Sequence, residues 1–157
     1  MKNKFIKYSL CVFVFFSFAK VLFANEFTFN TKQITLSEDG NIITATSGVA
    51  SLIKSGNKIK AEKFKYNKKL SILKANKAIA EFKGNTIIIS ADTIEYNNNL
   101  SIIIAYGNVI IRDLSEKIII KSEKIIYNEK TQTINSEKKS EILDEPGNNF
   151  TVEKFIY

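Results

Sequence analysis

One phrase recurs through this chain every 30 or 31 residues, built around a small residue, an acid and a tyrosine. It reads Ile59-Lys60-Ala61-Glu62-Lys63-Phe64-Lys65-Tyr66-Asn67, then Ile89-Ser90-Ala91-Asp92-Thr93-Ile94-Glu95-Tyr96-Asn97, then Ile120-Lys121-Ser122-Glu123-Lys124-Ile125-Ile126-Tyr127-Asn128. A fourth copy, Phe150-Thr151-Val152-Glu153-Lys154-Phe155-Ile156-Tyr157, ends the chain, and a degenerate copy runs from Phe29 to Leu36. A unit this short cannot bury its own apolar face, so the period implies a stack of like units. Function is then to be sought in the shape of the stack more than in one cluster of residues.

Each unit has a second half. Nine residues after each tyrosine-equivalent stands a small residue, Ala45, Ala75, Ala105 or Ser136. Turn signals separate the halves: Ser55-Gly56-Asn57, Gly84-Asn85, Asn97-Asn98-Asn99 and Pro146-Gly147-Asn148. Val, Ile, Thr, Tyr and Phe dominate the runs and no helical period is sustained, which predicts an all-β fold of repeated antiparallel strands. Within the phrase the apolar alternation changes phase: Ile59 and Ala61 share one parity, Phe64 and Tyr66 the other. One extra residue at a bulge or strand corner keeps both pairs on one face and turns Lys58, Lys60, Lys63 and Lys65 outward. The runs Ile87-Ile88-Ile89, Ile102-Ile103-Ile104 and Ile118-Ile119-Ile120 are apolar on both faces, which calls either for cover on the second face or for no more than strand propensity.

The first residues follow another pattern. Lys2, Lys4 and Lys7 precede an apolar run from Tyr8 to Ala19, and Leu22-Phe23-Ala24 offers a small residue at a cleavage point. This predicts a secretory signal peptide over residues 1–24 and a single mature domain over residues 25–157. The rival is an uncleaved anchor, but the run is interrupted by Lys20 and falls short of the roughly 20 residues that span a bilayer. Tyr8-Ser9-Leu10 before Cys11 is a poor lipoprotein signal. The leader holds four lysines and no acid, so its removal takes the net charge from +7 to +3 and with it the main support for nucleic-acid binding. Cys11 is the only cysteine, so the mature domain has no disulfide available.

The phrase, together with Ala105-Tyr106-Gly107-Asn108-Val109, resembles the OstA-like β-jellyroll family of lipopolysaccharide transport proteins, typified by LptA and the N-terminal domain of LptD. The resemblance spans about residues 27 to 157; Lys32, Leu36 and Val152 depart from the pattern. It implies a twisted, folded-over β-jellyroll open at both ends, with lipopolysaccharide acyl chains in its interior. It also implies a periplasmic location in outer-membrane assembly and end-to-end partnership with other jellyrolls of the system through edge strands. An LptA-like bridge and an LptD N-terminal domain both fit.

An apolar trough suits such cargo, because each methylene exposed to water costs about 0.8 kcal/mol and a multi-chain lipid exposes many. Candidate lining residues are Ile59, Phe64, Ile72, Ile89, Ile94, Ile102, Ile104, Val109, Ile111, Ile120 and Ile125; the same set also reads as an ordinary closed core. Candidate assembly edges are Phe27, Phe29 and Ile34 on the first strand and Phe150, Val152 and Phe155 on the last. The acids Glu62, Asp92, Glu123 and Glu153 form a ladder that could hold divalent cations, or, with more weight, each accepts a backbone N–H at its corner. The tyrosines read as half-buried rings with hydroxyls in water. Lys58, Lys60, Lys63, Lys65, Lys68 and Lys69 read as a solvated face or as contacts to lipid phosphate. With no histidine in the chain, no phosphate loop and no nucleophile elbow, no catalytic site, cofactor or metal is expected. The alternative to a lipid carrier is an exported β-solenoid scaffold or adhesin without lipid cargo.

Overall fold

The computed structural model describes residues 21–23, 26–82, 84 and 86–157. Most of the expected leader, including the proposed cleavage at Ala24, lies outside the described residues. The strands are β1 (Val21–Phe23), β2 (Phe27–Leu36), β3 (Ile42–Leu52), β4 (Lys58–Asn67), β5 (Ile72–Phe82), β6 (Ile87–Asn97), β7 (Ile102–Asp113), β8 (Ile118–Asn128), β9 (Thr133–Ser136), β10 (Ser140–Leu143), β11 (Asn149–Val152) and β12 (Phe155–Ile156). All pair antiparallel in one sheet, and β1 to β8 follow one another as a meander. The all-β, antiparallel expectation is met.

Every long strand bends in its middle, and the bends lie side by side. In β4, Ile59, Ala61, Phe64 and Tyr66 are buried while both Glu62 and Lys63 face out, so the phase shift seen in the phrase is a corner. The same pattern recurs in β6 and β8. On the intervening strands the corner falls at Ser47, Lys77 and Asn108, each with φ near +50°. Ser47 lies opposite Glu62, between the pairs Thr46–Lys63 and Gly48–Ala61. Lys77 lies opposite Asp92 in the same way. Residues such as these occupy the left-handed region only where the surroundings fix them there.

Folding along this line of corners places one half of every strand over the other. Phe27 packs against Tyr66 with ring centroids 4.9 Å apart, and Phe82 reaches Tyr96 and Tyr127 at 6.3 and 5.9 Å. These contacts join the two layers across the interior, where small Ala45, Ala75, Ala78, Ala80 and Ala105 alternate with the large side chains in one continuous core. Lys58, Lys60, Lys63 and Lys65 are exposed as expected.

The two ends differ from the middle. β1, which lies within the expected leader, pairs with residues 28–30 of β2, the first edge strand of the expected mature domain. At the other end β8 pairs with β9 in one layer and with β10 in the other, the strand being broken at residues 137–139. β11 and β12 continue the pattern as the two halves of the last strand, on β10 and β9 respectively.

Candidate functional site

Eight of the eleven candidate lining residues face the interior and are buried: Ile59, Phe64, Ile89, Ile94, Val109, Ile111, Ile120 and Ile125. The inward expectation for Ile72, Ile102 and Ile104 is corrected. Residues directly opposite on antiparallel strands share a face. Leu73 sits opposite the buried Tyr96, and Ile103 opposite both Tyr96 and Tyr127, so Leu73 and Ile103 take the inner positions and their neighbours stand on the outer face. A run of three isoleucines carries no phase of its own, and only the pairing partner supplies it. The interior is lined mainly by aliphatic and aromatic groups, with Thr31, Asn57, Ser71, Asp113, Ser136 and Ser140 as the buried polar side chains among the described residues. Among the described residues no buried side-chain nitrogen or oxygen lacks a hydrogen-bond partner.

The acids of the phrase stand on the outside of the corner. Lys77 Nζ donates to Glu62 at 3.2 Å, and Asn108 Nδ2 donates to Asp92 Oδ2 at 2.8 Å. The expectation that they accept backbone N–H groups is therefore corrected for these two. The side chain that reaches each acid comes from the residue of positive φ on the next strand. Asp92 also closes over Gly107, whose φ is +71° and where a Cβ would lie 2.5 Å from Asp92 Oδ2. Among the described residues no three His, Cys, Asp or Glu are grouped as a metal site.

Opposite the corner line, the ends of the strands meet in a seam between two rows of turns. One row holds residues 37–41, 68–71, 98–101 and 129–132; the other holds Glu26 and residues 53–57 and 114–117. The tyrosine hydroxyls, expected to reach water, end on carboxylates here. Tyr66 donates to Glu26 at 2.5 Å, and Ser71 donates to the other oxygen of that carboxylate at 3.0 Å. Tyr96 donates to Glu129 at 2.7 Å, and Asn57 Nδ2 donates to the same carboxylate from across the seam. Burial first, then the adjoining carboxylate, pushes both phenols above their ordinary range. Tyr127 and Tyr157 are raised as well, by burial and then by acidic neighbours that include Asp113.

Glu26, Asn57 and Glu129 did not emerge from sequence because they lie outside the phrase. The position of Glu129 is held by Lys68 and Asn98 in the preceding copies. The asparagine after each tyrosine has a legible role that only the turn reveals. Asn67, Asn97 and Asn128 accept the amides of Leu70, Leu100 and Lys130 at 3.0–3.1 Å, closing each turn. Between the rows, beside Tyr96, lies a cleft of about 290 Å³ bordered by Leu52, Lys54, Asn98 and Lys130.

The edge candidates divide. Phe27 and Phe29 belong to the core, and Ile34 packs partly buried against it. On the last strand Phe155 packs against the core, Val152 is half-buried and Phe150 is 52% exposed.

Comparison with known proteins gives two findings. The family described as "Lipopolysaccharide-assembly, LptC-related" matches residues 76–152. The crystal structure of LptH from Pseudomonas aeruginosa, described as the LptA homologous periplasmic component of the lipopolysaccharide transport device, is similar with a TM-score of 0.62 and 13% identity. The match covers 80% of this chain and 93% of that one. No curated protein matches the chain.

Proposed function

We propose that this chain, which belongs to the OstA-like β-jellyroll family of lipopolysaccharide transport proteins, is a periplasmic link in that system and carries acyl chains between the two layers of its folded sheet. The observation that carries the reading is the interior itself. Apolar side chains from β2 to β9 form one continuous band along the stack, and the buried polar side chains of the described residues, such as Asp113, Ser136 and Ser140, are few beside it. A lipid that must move on needs such a surface, since transfer of each methylene from water is worth about 0.8 kcal/mol wherever along the band it rests. Lysines on the outer face keep the layers soluble around it.

The stack has a second requirement, continuity with its neighbours. β11 and β12 form the last edge, with Phe150 exposed and no proline among residues 149–157. A free edge of this kind accepts another strand through its backbone N–H and C=O groups. Head-to-tail addition of a like jellyroll would extend the apolar band. At the first edge, residues 31–36 of β2 have one described partner, β3.

The LptC-related match and the LptA-like fold both favour a bridge component, with an LptD N-terminal domain as the further member of this class. Removal of residues 1–24 would release it into the periplasm, and mass spectrometry of the exported protein reads the new terminus directly. An intact Met1 in the membrane fraction would instead make it an anchored component.

The cargo is tested by a photo-crosslinking amino acid at Ile94 or Ile120, against one at Lys63, in cells labelled in lipopolysaccharide. Labelled adducts at the interior positions and not at Lys63 support the reading; equal labelling at all three overturns it. For the edge, Val152→Pro or deletion of residues 150–157 should abolish binding to a partner jellyroll while leaving a folded monomer. Undiminished assembly by either variant excludes this edge.

A further inference from the structure

The interior is filled by its own side chains, so cargo must part the layers somewhere. At the corner line the layers are joined by backbone in every long strand. Along the seam, among the described residues, they are joined by side chains: Tyr66 and Ser71 to Glu26, Tyr96 and Asn57 to Glu129, and Tyr157 to Asp113. A second observation lies on the lips of the seam. Ile53 on one row and Leu70 and Leu100 on the other are 53, 57 and 55% exposed, in turns otherwise made of Lys, Asn, Ser and Gly. Asn67 and Asn97 fix the backbone of the two leucines, so these apolar groups are held at the lip by built turns. Third, the cleft beside Tyr96 has the buried Leu52 at its wall, Lys54 and Lys130 at its rim, and the Glu26 carboxylate also in its lining.

We propose that this seam is a lateral entry for the acyl chains of an anionic amphiphile, latched by the Tyr66–Glu26 and Tyr96–Glu129–Asn57 hydrogen bonds. The chains first meet Ile53, Leu70 and Leu100, the latches part, and the chains slide between the layers beside Leu52. The polar head stays in the cleft, where Lys54 and Lys130 face its phosphate. Hydroxyl-to-carboxylate bonds suit this role, because both groups regain water when they separate and the cost of opening is small. A purely apolar seam would expose its surface at each opening. The inference rests on the lipid-carrying reading and adds the route by which the lipid arrives.

The test staples the seam. In the full chain carrying Cys11→Ser, Asn57→Cys with Glu129→Cys is bridged by a short bifunctional methanethiosulfonate that dithiothreitol removes. Glu62→Cys with Lys77→Cys, bridged in the same way, staples neighbouring strands at the corner. Uptake of hexa-acylated lipid A is followed with each protein before and after reduction, with circular dichroism verifying the fold.

We expect the seam staple to slow uptake about tenfold or more, reduction to restore it, and the corner staple to leave it unchanged. Tyr96→Phe, which removes one latch bond without a thiol, should load about threefold faster. Equal uptake by stapled and reduced seam proteins, or an unaltered rate in Tyr96→Phe, overturns the lateral route and leaves entry at the ends of the stack. No uptake by any of the proteins overturns the lipid-carrying reading and the seam with it. Uptake that persists with lipid A but ignores Lys54→Glu and Lys130→Glu removes the headgroup from the cleft. Competition by inorganic phosphate alone would assign the lysines to free phosphate.

Discussion

The folded sheet closes along two lines, the corner and the seam, and they are held by different means. At the corner the chain itself crosses from layer to layer, and the polar groups there, Glu62 with Lys77 and Asp92 with Asn108, are exposed. At the seam no backbone crosses among the described residues, and the layers meet through partly buried phenols and carboxylates whose partners lie 33 to 72 residues apart. The corner fixes the shape permanently. The seam holds it through a few bonds that can be remade, so a structure of this kind has a hinge on one side and an opening on the other.

The largest effect should come from charging the space between the two lines. Ile94 is fully buried between the layers, and Ile94→Asp places a carboxylate there without a partner. A loss of about 4 kcal/mol or more is expected in urea unfolding. Lys63→Glu, on the exposed side of β4, should change stability by a few tenths of a kcal/mol. Comparable losses would mean that the corner does not hold the two halves of β6 and β4 on one common face.

Next in size is the corner itself. Gly48 on β3 lies so close to β2 that a Cβ would overlap the Asn30 carbonyl oxygen and come within 2.6 Å of the Thr31 Cα, both backbone. Gly48→Ala therefore has to push one strand from the next, for an expected cost of about 2 to 3 kcal/mol in the same assay. Gly56→Ala is the comparison, since its φ of +72° is strained for alanine but nothing lies near the added carbon. About 1 kcal/mol is expected there. Equal losses would show that the close approach of β2 and β3 contributes nothing to the corner.

The corner was legible in the sequence because its cause is local. Ile59 and Ala61 change phase against Phe64 and Tyr66 within six residues, and one bend repairs the amphipathic face whatever surrounds it. The lysines of β4 follow from the same step. The isoleucine runs were half legible, since β7 is plainly a strand, yet Ile102, Ile103 and Ile104 differ only through the residues that pair with them. The seam was not legible. Glu26, Asn57 and Glu129 belong to no repeat, and the fold alone brings them to the tyrosines. The acids of the phrase recur in sequence, but their partners Lys77 and Asn108 sit on the following strands at positions whose residue types vary.

The seam should respond to alkali in a way the corner does not. Tyr96→Phe keeps the ring and removes only the bond to Glu129, for an expected loss of about 1 kcal/mol at neutral pH. Both Tyr66 and Tyr96 have folded-state pKa values raised above their ordinary value. The unfolded chain therefore gives up these protons first, near pH 10, and stability falls as pH rises through and beyond that point. Below it the contribution is fully present. The double variant Tyr66→Phe with Tyr96→Phe should show a shallower decline above pH 10 than the unaltered protein, measured as unfolding free energy from pH 8 to 11.5. Parallel curves would mean that other groups, such as the lysines, carry the whole alkaline response.

The smallest effect should be at the polar face of the corner. Lys77 and Glu62 lie 3.2 Å apart, but their side chains remain 71 and 59% exposed, so water screens the pair and holding two long side chains together costs entropy. Glu62→Gln keeps the shape and removes the charge. A loss of no more than about 0.5 kcal/mol is expected, and it should shrink further in 0.5 M salt. The bend itself would persist, because it is fixed by the phase of Ala61 and Phe64 and by the positive φ of Ser47 and Lys77 on the strands beside it. A loss well above 1 kcal/mol, undiminished by salt, would reverse the comparison and make the acid a determinant of the fold at its corner.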